Sequence, residues 1–147
     1  MALQTSHLTR PALFPPSAFI NLNHLGLSQK RRFDAKQRWI LSLAARNDLI
    51  GVQELHASAA RAQDCFFKHV ATHTALYNSG GDQPGQCILI SNKFLSTIGL
   101  HPETLVESPN HVHLVPEAAH GFWWRIGRQV KLFVNVSLHA GNACQWT

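Results

Sequence analysis

Cysteine, acidic side chains and long apolar runs are all scarce in this chain of 147 residues. The three cysteines, Cys65, Cys87 and Cys144, are odd in number and far apart, which excludes a disulfide framework and a C-x-x-C site. No stretch of about 18 apolar residues occurs, so the sequence predicts neither a transmembrane helix nor a membrane partner. The first 33 residues contain no acid, as in transit peptides, but strand-like sequence from Ser17 leaves room only for a short leader. We therefore expect an intracellular protein without a signal peptide, with the nucleus as one destination.

The remaining composition is that of one folded domain with a modest basic excess. Apolar residues make up 45% of the chain and charged residues only 14%, which excludes a disordered chain. Thirteen Lys and Arg residues face eight Asp and Glu residues, a net charge of +5 with the ten histidines neutral. A charge of this size suits a polyanionic partner such as DNA without requiring one.

Apolar patterning predicts an α+β fold in which strands outnumber helices. We interpret residues 1–16, which end in two prolines, as a flexible leader. Residues 17–23 (SAFINLN) alternate as a half-buried strand, and residues 49–53 (LIGVQ) form the nearly continuous apolar run of a central strand. A hairpin is predicted at Gly127. Further strands are expected at 72–77, 86–91, 111–115, 121–126 and 130–138.

Two helices are predicted between these strands. Asp34, followed three residues later by Gln37, has the spacing of a capping box and predicts a helix at about 34–46. Ser58 would cap a second helix at 58–70. The apolar face of the first helix, which would pack against the sheet, consists of Trp39, Ile40, Leu43 and Ala44.

Polar side chains end three of the predicted strands. An acid after a buried strand is usually just solvated, and asparagines at strand ends usually serve turns. Their conjunction, with an acid at the carboxyl end of a central strand, is typical of the site of an α/β enzyme. The residues concerned are Asn21 and Asn23 in INLN, Gln53 and Glu54 in VQE, and His139 and Asn142 in VSLHAGN.

The order of these motifs resembles the endonuclease/exonuclease/phosphatase superfamily. Non-LTR retrotransposon endonucleases and apurinic endonucleases open with a strand ending in Asn-x-Asn or Asn-x-Asp, then a loop, a helix and a strand ending in Gln-Glu. The segment GQCILISNKF at 85–94 is similar to the glycine-led apolar strand of that family, and KLFVNVSLHAGN at 131–142 to its phosphate-contacting strand. The resemblance implies that residues 17–147 form part of a four-layer α/β sandwich, with one β-sheet under covering helices and an incomplete second sheet.

The same resemblance implies hydrolysis of phosphodiesters, with DNA as the expected substrate. Glu54 would bind Mg²⁺, or Mn²⁺ in its place, and Asn23 would complete the surroundings of the metal. Such an ion takes one or two carboxylates and keeps several waters. Asn21 would orient Glu54 or the attacking water. His139 would donate to the phosphate, and Asn142 falls at a catalytic asparagine of the apurinic branch.

Several departures from the family pattern limit the expected activity. Asn23 lacks the charge of the aspartate found there in apurinic endonucleases, and His24 occupies a position where glycine is usual. The later Gly-Asp-x-Asn and Asp-His motifs have no counterpart before Thr147, and we interpret residues 81–83 (GDQ) as a loop. We therefore expect the domain to be truncated and inactive, with a sheet face left uncovered and low stability.

A basic run and a pair of histidines are two further features of the sequence. The basic run Lys30, Arg31 and Arg32, in the predicted loop at 24–33, would grip phosphates or be merely solvated. His111 and His113 share a strand face, but without a third ligand nearby they do not predict a zinc site.

Two alternatives to a DNA endonuclease stay open. One is a catalytically dead remnant that binds nucleic acid or a protein partner, and the other is the same fold acting on a phosphoinositide, a sphingolipid or RNA.

Overall fold

The computed structural model describes residues 14–79 and 85–137, which contain seven strands and three α-helices. Helices and two separate sheets are both present, so the predicted α+β class is confirmed. In chain order the elements are β1 (Ser17–Asn21), α1 (Lys30–Ala44), β2 (Leu49–Gln53), α2 (Ala59–Cys65), a 3-10 turn (Phe67–His69), β3 (His73–Asn78), β4 (Gln86–Ser91), α3 (Asn92–Thr97), a second 3-10 segment (Pro102–Glu107), β5 (His111–Val115), β6 (Ala119–Ile126) and β7 (Gln129–Val136).

The first sheet contains β1, β2, β4 and β3 in that order. β1 and β2 are parallel, whereas β4 runs antiparallel to both of its neighbours. β2 is buried along its whole length, as its apolar sequence predicts. Because directly paired residues point to the same face, the register forms a row of four amide side chains across one edge of the sheet. The row consists of Asn21, Gln53, Gln86 and Asn78.

α1 and α2 cover one face of this sheet. Ile40 of α1 and Ala62 of α2 belong to one buried cluster with Ile50, Val52 and Leu89 of the sheet. Phe66, which follows α2, is also fully buried in this cluster. Burial of these apolar side chains fixes both helices on the sheet.

β5, β6 and β7 form a second, antiparallel sheet that packs on the other face of the first. Phe122, Trp124 and Phe133 of the second sheet share a buried cluster with Leu76 and Ile88 of the first. The expectation of an uncovered sheet face is therefore wrong, because alternation along β6 points Phe122 and Trp124 inward. Within the described residues the architecture has three layers, one of helices and two of strands.

The outer face of the second sheet is apolar and exposed. Val130, Leu132 and Val136 of β7 each retain at least half of their accessible surface. Gly127, with φ at +59°, turns the hairpin between β6 and β7, as predicted from its position.

α1 begins four residues earlier than the sequence predicts, at Lys30. The N-cap is Gln29, whose side chain makes no capping hydrogen bond, so the proposed Asp34 capping box is wrong. Gly26 turns the chain at a φ of +73°, Gln29 N donates to its carbonyl oxygen, and the helical hydrogen bonds start before Asp34 is reached. Gln37 instead donates through Nε2 to Phe66 O at 2.7 Å.

Trp39 does not face the sheet. Its side chain is 55% exposed, whereas the neighbouring Ile40 is fully buried. Adjacent residues of a helix point about 100° apart, and the inner face of α1 is occupied by Ile40, Leu43 and the inward-pointing Lys36. The prediction that placed Trp39 in the core is therefore wrong.

The other helical segments agree with the sequence in part. Ser58 caps α2 as predicted, since its Oγ accepts from Arg61 N at 3.2 Å, but the α-helix ends at Cys65. α3 and the 3-10 segment after it were not predicted. Within residues 14–79 and 85–137 no helix is long and apolar enough to cross a membrane.

Residues 1–13 of the predicted leader lie outside the described part of the chain, whereas its last three residues contact the fold. Pro16 O accepts from the backbone N–H groups of Asp48 at 2.8 Å and Leu49 at 3.2 Å. The ring of Phe14 lies 5.1 Å from that of Trp124.

Candidate active site at the carboxyl ends of β1 and β2

The parallel pairing of β1 and β2 brings Asn21 and Glu54 to the same sheet edge. Asn21 Nδ2 donates a hydrogen bond to Glu54 Oε2, and Asn21 Oδ1 accepts from the backbone N–H of Asn23. The loop after β1 continues the pairing, since Leu22 N donates to Gln53 O and His24 N to Glu54 O. The structure thus places the predicted residues Asn21, Asn23 and Glu54 together.

Left-handed backbone is concentrated at this edge. Five non-glycine residues of the described chain have positive φ, and four of them lie here. They are Asn23 at +47°, His24 at +73°, Glu54 at +58° and His56 at +51°. Such conformations cost free energy and cluster at functional sites, where the surrounding structure holds them in place. His24 has a backbone conformation that glycine adopts without strain, which accounts for the glycine expected at its position.

The carboxylate of Glu54 is accessible from one side. Its side chain is 23% exposed, and His56 Nε2 lies 3.7 Å from Glu54 Oε1. His56 is itself exposed, so it contributes positive charge here only when protonated. Glu54 therefore combines one fixed oxygen, held by Asn21, with one that a ligand can reach.

Lys36 of α1 fixes the loop that carries Asn23. Its Nζ donates to His24 O at 2.7 Å and to Asn23 O at 3.2 Å. Burial, followed by repulsion from Arg32, lowers the pKa of Lys36. Burial also lowers the pKa of His24, with added repulsion from Lys36, Arg32 and His56. The loop is thus held by a buried cation whose donors point at backbone oxygens.

The row of amides connects this edge to the second sheet. Gln53 Nε2 donates to Asn135 Oδ1 at 2.6 Å. Asn135 Nδ2 lies within hydrogen-bond distance of Val52 O, Cys87 O and His120 Nε2, at 3.0 to 3.2 Å. The residue before Glu54 is thereby tied to β7 through a buried side chain.

The same network continues along the row. Gln86 Nε2 donates to Ser137 Oγ at 3.1 Å, and Asn78 Nδ2 donates to Gln86 Oε1 at 2.9 Å. Asn78 also contacts β5 and β6 through the carbonyl oxygens of Val115 and Ala119. Polar side chains therefore replace the apolar inter-sheet core at the end nearest Glu54.

Three imidazoles end this network. His120 joins His111 and His113, with His111 Nε2 lying 2.9 Å from His120 Nδ1. Burial, together with repulsion from neighbouring histidines, lowers the pKa of His120 to about 3 and that of His111 to about 4. Across residues 14–79 and 85–137 no three His, Cys, Asp or Glu side chains are placed to hold a metal ion. The third histidine therefore joins the other two in a hydrogen-bonded cluster.

Of the remaining predicted site residues, the structure describes only the basic run Lys30, Arg31 and Arg32. The basic run lies in the first turn of α1 and not in a loop, because helical hydrogen bonding begins at Lys30. His139, Asn142 and the GDQ segment at 81–83 lie outside the described residues.

No family model and no curated protein matches the chain. The superfamily resemblance therefore stays a prediction that rests on the quoted motifs.

The donor set at the edge is chemically suitable for Mg²⁺. Glu54 supplies a partly exposed carboxylate, and Asn23 carries an amide oxygen on the adjoining turn. Mg²⁺ prefers oxygen ligands and keeps several waters, so a site with one carboxylate is sufficient for it.

Sequence reasoning missed three contributors to the site. Lys36 could not be distinguished from a surface lysine, because its acceptors are backbone oxygens 12 and 13 residues away. Asn135 required the packing of two sheets, and no local pattern indicates that. His56 stands two residues after Glu54, and its proximity could have been predicted from the tight turn that follows β2.

Proposed function

We propose that this chain carries the metal-binding part of a Mg²⁺-dependent phosphodiesterase that acts on DNA, of the endonuclease/exonuclease/phosphatase kind. The observation that carries the proposal is the contact of Asn21 with Glu54 at the end of a fully buried strand. Left-handed backbone at four neighbouring positions adds support, since strain of this kind is retained where function requires it.

Each residue at the edge has a distinct part in the proposed chemistry. When bound, Mg²⁺ would neutralise charge on the phosphoryl oxygens. Glu54 and Asn23 would hold the ion, while Asn21 fixes the carboxylate and Lys36 fixes the loop. His56, when protonated, would add positive charge beside the phosphate. His139 and Asn142 keep their proposed roles as phosphate donor and catalytic asparagine.

Metal binding is the decisive measurement, because turnover also requires an activated water. The Gly-Asp-x-Asn and Asp-His motifs that serve this purpose in the family do not occur in the 147 residues. Titration with Mn²⁺, followed by paramagnetic broadening of backbone NMR signals, should broaden those of Asn21, Asn23 and Glu54 first. Mg²⁺ should reverse the effect by competition.

Glu54→Gln removes the charge but keeps an oxygen for Asn21, so we expect it to weaken Mn²⁺ binding at least tenfold. Glu117→Gln is the matched control, because Glu117 is another acid in left-handed backbone but lies between β5 and β6. Equal Mn²⁺ affinity in the wild type and Glu54→Gln would remove Glu54 from the proposed site. Mg²⁺-dependent nicking of plasmid DNA, lost in Glu54→Gln, would extend the proposal from binding to catalysis.

A second candidate function is nucleic-acid binding without hydrolysis. The concentration of positive charge on α1 favours it, and it requires neither Mg²⁺ nor Glu54. For either function we propose an intracellular location with access to nucleic acid, such as the nucleus.

A further inference from the structure

The net charge of the chain is concentrated in one segment. Residues 30–46, which comprise α1 and two following residues, contain six of the thirteen Lys and Arg residues and a single acid, Asp34. Their net charge of +5 equals that of the whole chain, because the other seven basic and seven acidic residues cancel. The net positive charge of this protein therefore comes from one segment of the chain.

Most of these cations lie on the solvent side of α1, around an exposed indole. Arg32, Trp39 and Arg46 are seven residues apart, so two turns of helix place them in one row, and Ala45 keeps helical dihedrals between them. Arg31 and Arg38 form the adjoining row. We call these five residues the basic stripe, and all five side chains are exposed. From Arg31 to Arg46 the stripe is about 22 Å long.

The cations at the start of α1 are unfavourably placed with respect to the helix dipole. Lys30, Arg31 and Arg32 occupy the first turn of α1, which contains no acid, and the helix dipole is positive at that end. Repulsion from Arg32 also lowers the pKa of Lys36 and of His24, after burial. An anion bound along the stripe would relieve both effects.

We propose that the basic stripe binds single-stranded nucleic acid, with phosphates on its arginines and a base stacked on Trp39. Basic grooves with exposed aromatic rings are the usual means of binding single strands, because every base has a face to stack. A duplex keeps its bases paired and would leave Trp39 without a partner. DNA and RNA strands share this chemistry, and the experiment compares them.

A lipid surface fits the stripe less well. An interfacial helix inserts a continuous apolar face into the membrane, but Ile40, Leu43 and Ala44 of α1 already pack in the core. Only Trp39 and Leu41 remain as large exposed apolar side chains of α1. The interaction surface therefore offers much positive charge and little apolar area.

The stripe is separate from the Glu54 edge but leads towards it. Lys36, on the inner side of α1, contacts the loop at Asn23, whereas Arg46 lies next to Asn47 at the entry to β2, the opposite edge of the sheet. Binding at the stripe requires neither a metal ion nor Glu54, so it can be tested independently of the proposed hydrolysis.

The test uses the whole 147-residue chain and fluorescently labelled 20-mers of dT and of U, with affinity measured by anisotropy over a range of NaCl concentrations. Four arginine contacts predict a slope of log K against log salt of about −2.8, at about 0.7 per contact. The double variant Arg38→Ala/Arg46→Ala removes two of these contacts and should reduce the magnitude of the slope by about 1.4. The matched control, Arg125→Ala/Arg128→Ala, removes the same charge from exposed positions of the second sheet and should leave the slope unchanged.

Trp39→Leu tests stacking while keeping an apolar side chain. We expect it to weaken oligonucleotide binding by about 5-fold to 150-fold, the usual range for losing one base stack. Leu41→Ala, a truncation at another exposed position of α1, should have no such effect.

Several results would overturn the proposal. One is an equal loss of salt slope in the two arginine double variants, and another is an unchanged oligonucleotide affinity in Trp39→Leu. The others are a 20-base-pair duplex bound as tightly as dT or U, and binding only to vesicles that contain phosphatidylserine. Glu54→Gln should bind oligonucleotides normally while losing Mn²⁺. Failure at the stripe with an intact metal site, or the reverse, therefore separates this inference from the proposed hydrolysis.

Discussion

The two faces of the first sheet are packed by different means. Towards the helices, the packing is mainly apolar, as at Ile50, Val52 and Leu89. Towards the second sheet, the packing is apolar around Leu49 and Ile90 but becomes a hydrogen-bonded network around Gln53 and Gln86. The change from apolar to polar occurs along the strands, in the direction of Glu54.

The polar end of the inter-sheet packing is the part of the fold that requires the most precise positioning of side chains. Apolar contacts tolerate small shifts, whereas buried amides are satisfied only in one register, and an unpaired partner is costly. The hydrogen bonds of Asn135 with Gln53, Val52, Cys87 and His120, which we call the lock, lie beneath the Glu54 edge and hold β2 at a fixed position relative to β7.

The largest expected effect is that of Asn135→Ala. This change removes a hydrogen-bond partner from Gln53 Nε2, His120 Nε2 and the carbonyl oxygens of Val52 and Cys87. Since each unpaired buried group costs about 1 to 3 kcal/mol, we expect the free energy of unfolding to fall by about 4 kcal/mol. Urea denaturation followed by circular dichroism measures it.

Leu89→Ala provides the comparison on the helix-facing side, with an expected loss of about 3 kcal/mol from the cavity alone. A loss below about 1 kcal/mol in Asn135→Ala would mean that water replaces the lock without cost. The two faces would then differ in chemistry but not in stability.

Gly51→Ala should be less damaging than Asn135→Ala and Leu89→Ala. A Cβ at this central position would lie 2.7 Å from Asn135 Oδ1 and 2.6 Å from Phe19 Cδ1, so the lock must shift to admit it. We expect a loss of about 2 kcal/mol in unfolding free energy. At Gly121 the nearest atoms are 3.1 Å away, one of them at the end of the exposed Leu132 side chain, so Gly121→Ala should cost less. Equal costs would indicate that the clash at Gly51 is relieved by Phe19 alone.

Acid should destabilise the polar end of the inter-sheet packing before it affects the apolar end. Burial lowers the pKa of His120 to about 3 and that of His111 to about 4, both from 6.5. Stability is therefore fully present above pH 6.5 and is lost as the pH falls, because the unfolded chain binds protons that the folded chain excludes. Each histidine contributes up to about 1.4 kcal/mol per pH unit.

The pH dependence is measured as unfolding free energy between pH 5 and 7. His111→Gln should make it shallower, and His101→Gln, at an exposed position, serves as the control. Identical slopes in the two variants would exclude His111 as a source of the acid sensitivity.

The smallest effect is expected at the strained turn. His56 has a φ of +51° and one weak contact with Glu54, so His56→Gly should raise the free energy of unfolding by about 0.5 kcal/mol. His56→Ala should not, because alanine carries the same backbone penalty. Thermal unfolding distinguishes the pair, and a destabilised glycine variant would show that the Glu54 contact outweighs the strain.

Local patterns predicted much of the fold. The apolar runs LIGVQ and QCILIS gave the bounds of β2 and β4 as the structure has them, because buried strands are recognisable from composition alone. Where several local signals compete, the prediction was wrong: Asp34 had the spacing of a cap, but the turn at Gly26 starts α1 earlier. Trp39 had an apolar side chain at a plausible helical spacing, yet the core had no place for it.

The candidate site was predictable only as far as its strand-end residues. Asn21 ends β1 and Glu54 follows β2, and the superfamily resemblance implied that Asn21 orients Glu54. The parallel pairing of the two strands brings these side chains into contact. Asn135 and His120 contribute through the way the two sheets pack on each other. That packing depends on contacts between distant residues, such as Asn135 and Gln53, which are 82 residues apart in sequence. No periodicity in either segment encodes that packing.

Lys36 has one further consequence, in chemical labelling. Its Nζ donates hydrogen bonds to two carbonyl oxygens, and the residue is only 8% exposed. Lys30, Lys68 and Lys93, by contrast, are exposed. Acylating reagents should modify those three lysines quickly and reach Lys36 only when the turn at Asn23 opens. The rate at which Lys36 is acylated therefore reports the rate at which the loop beside Glu54 opens.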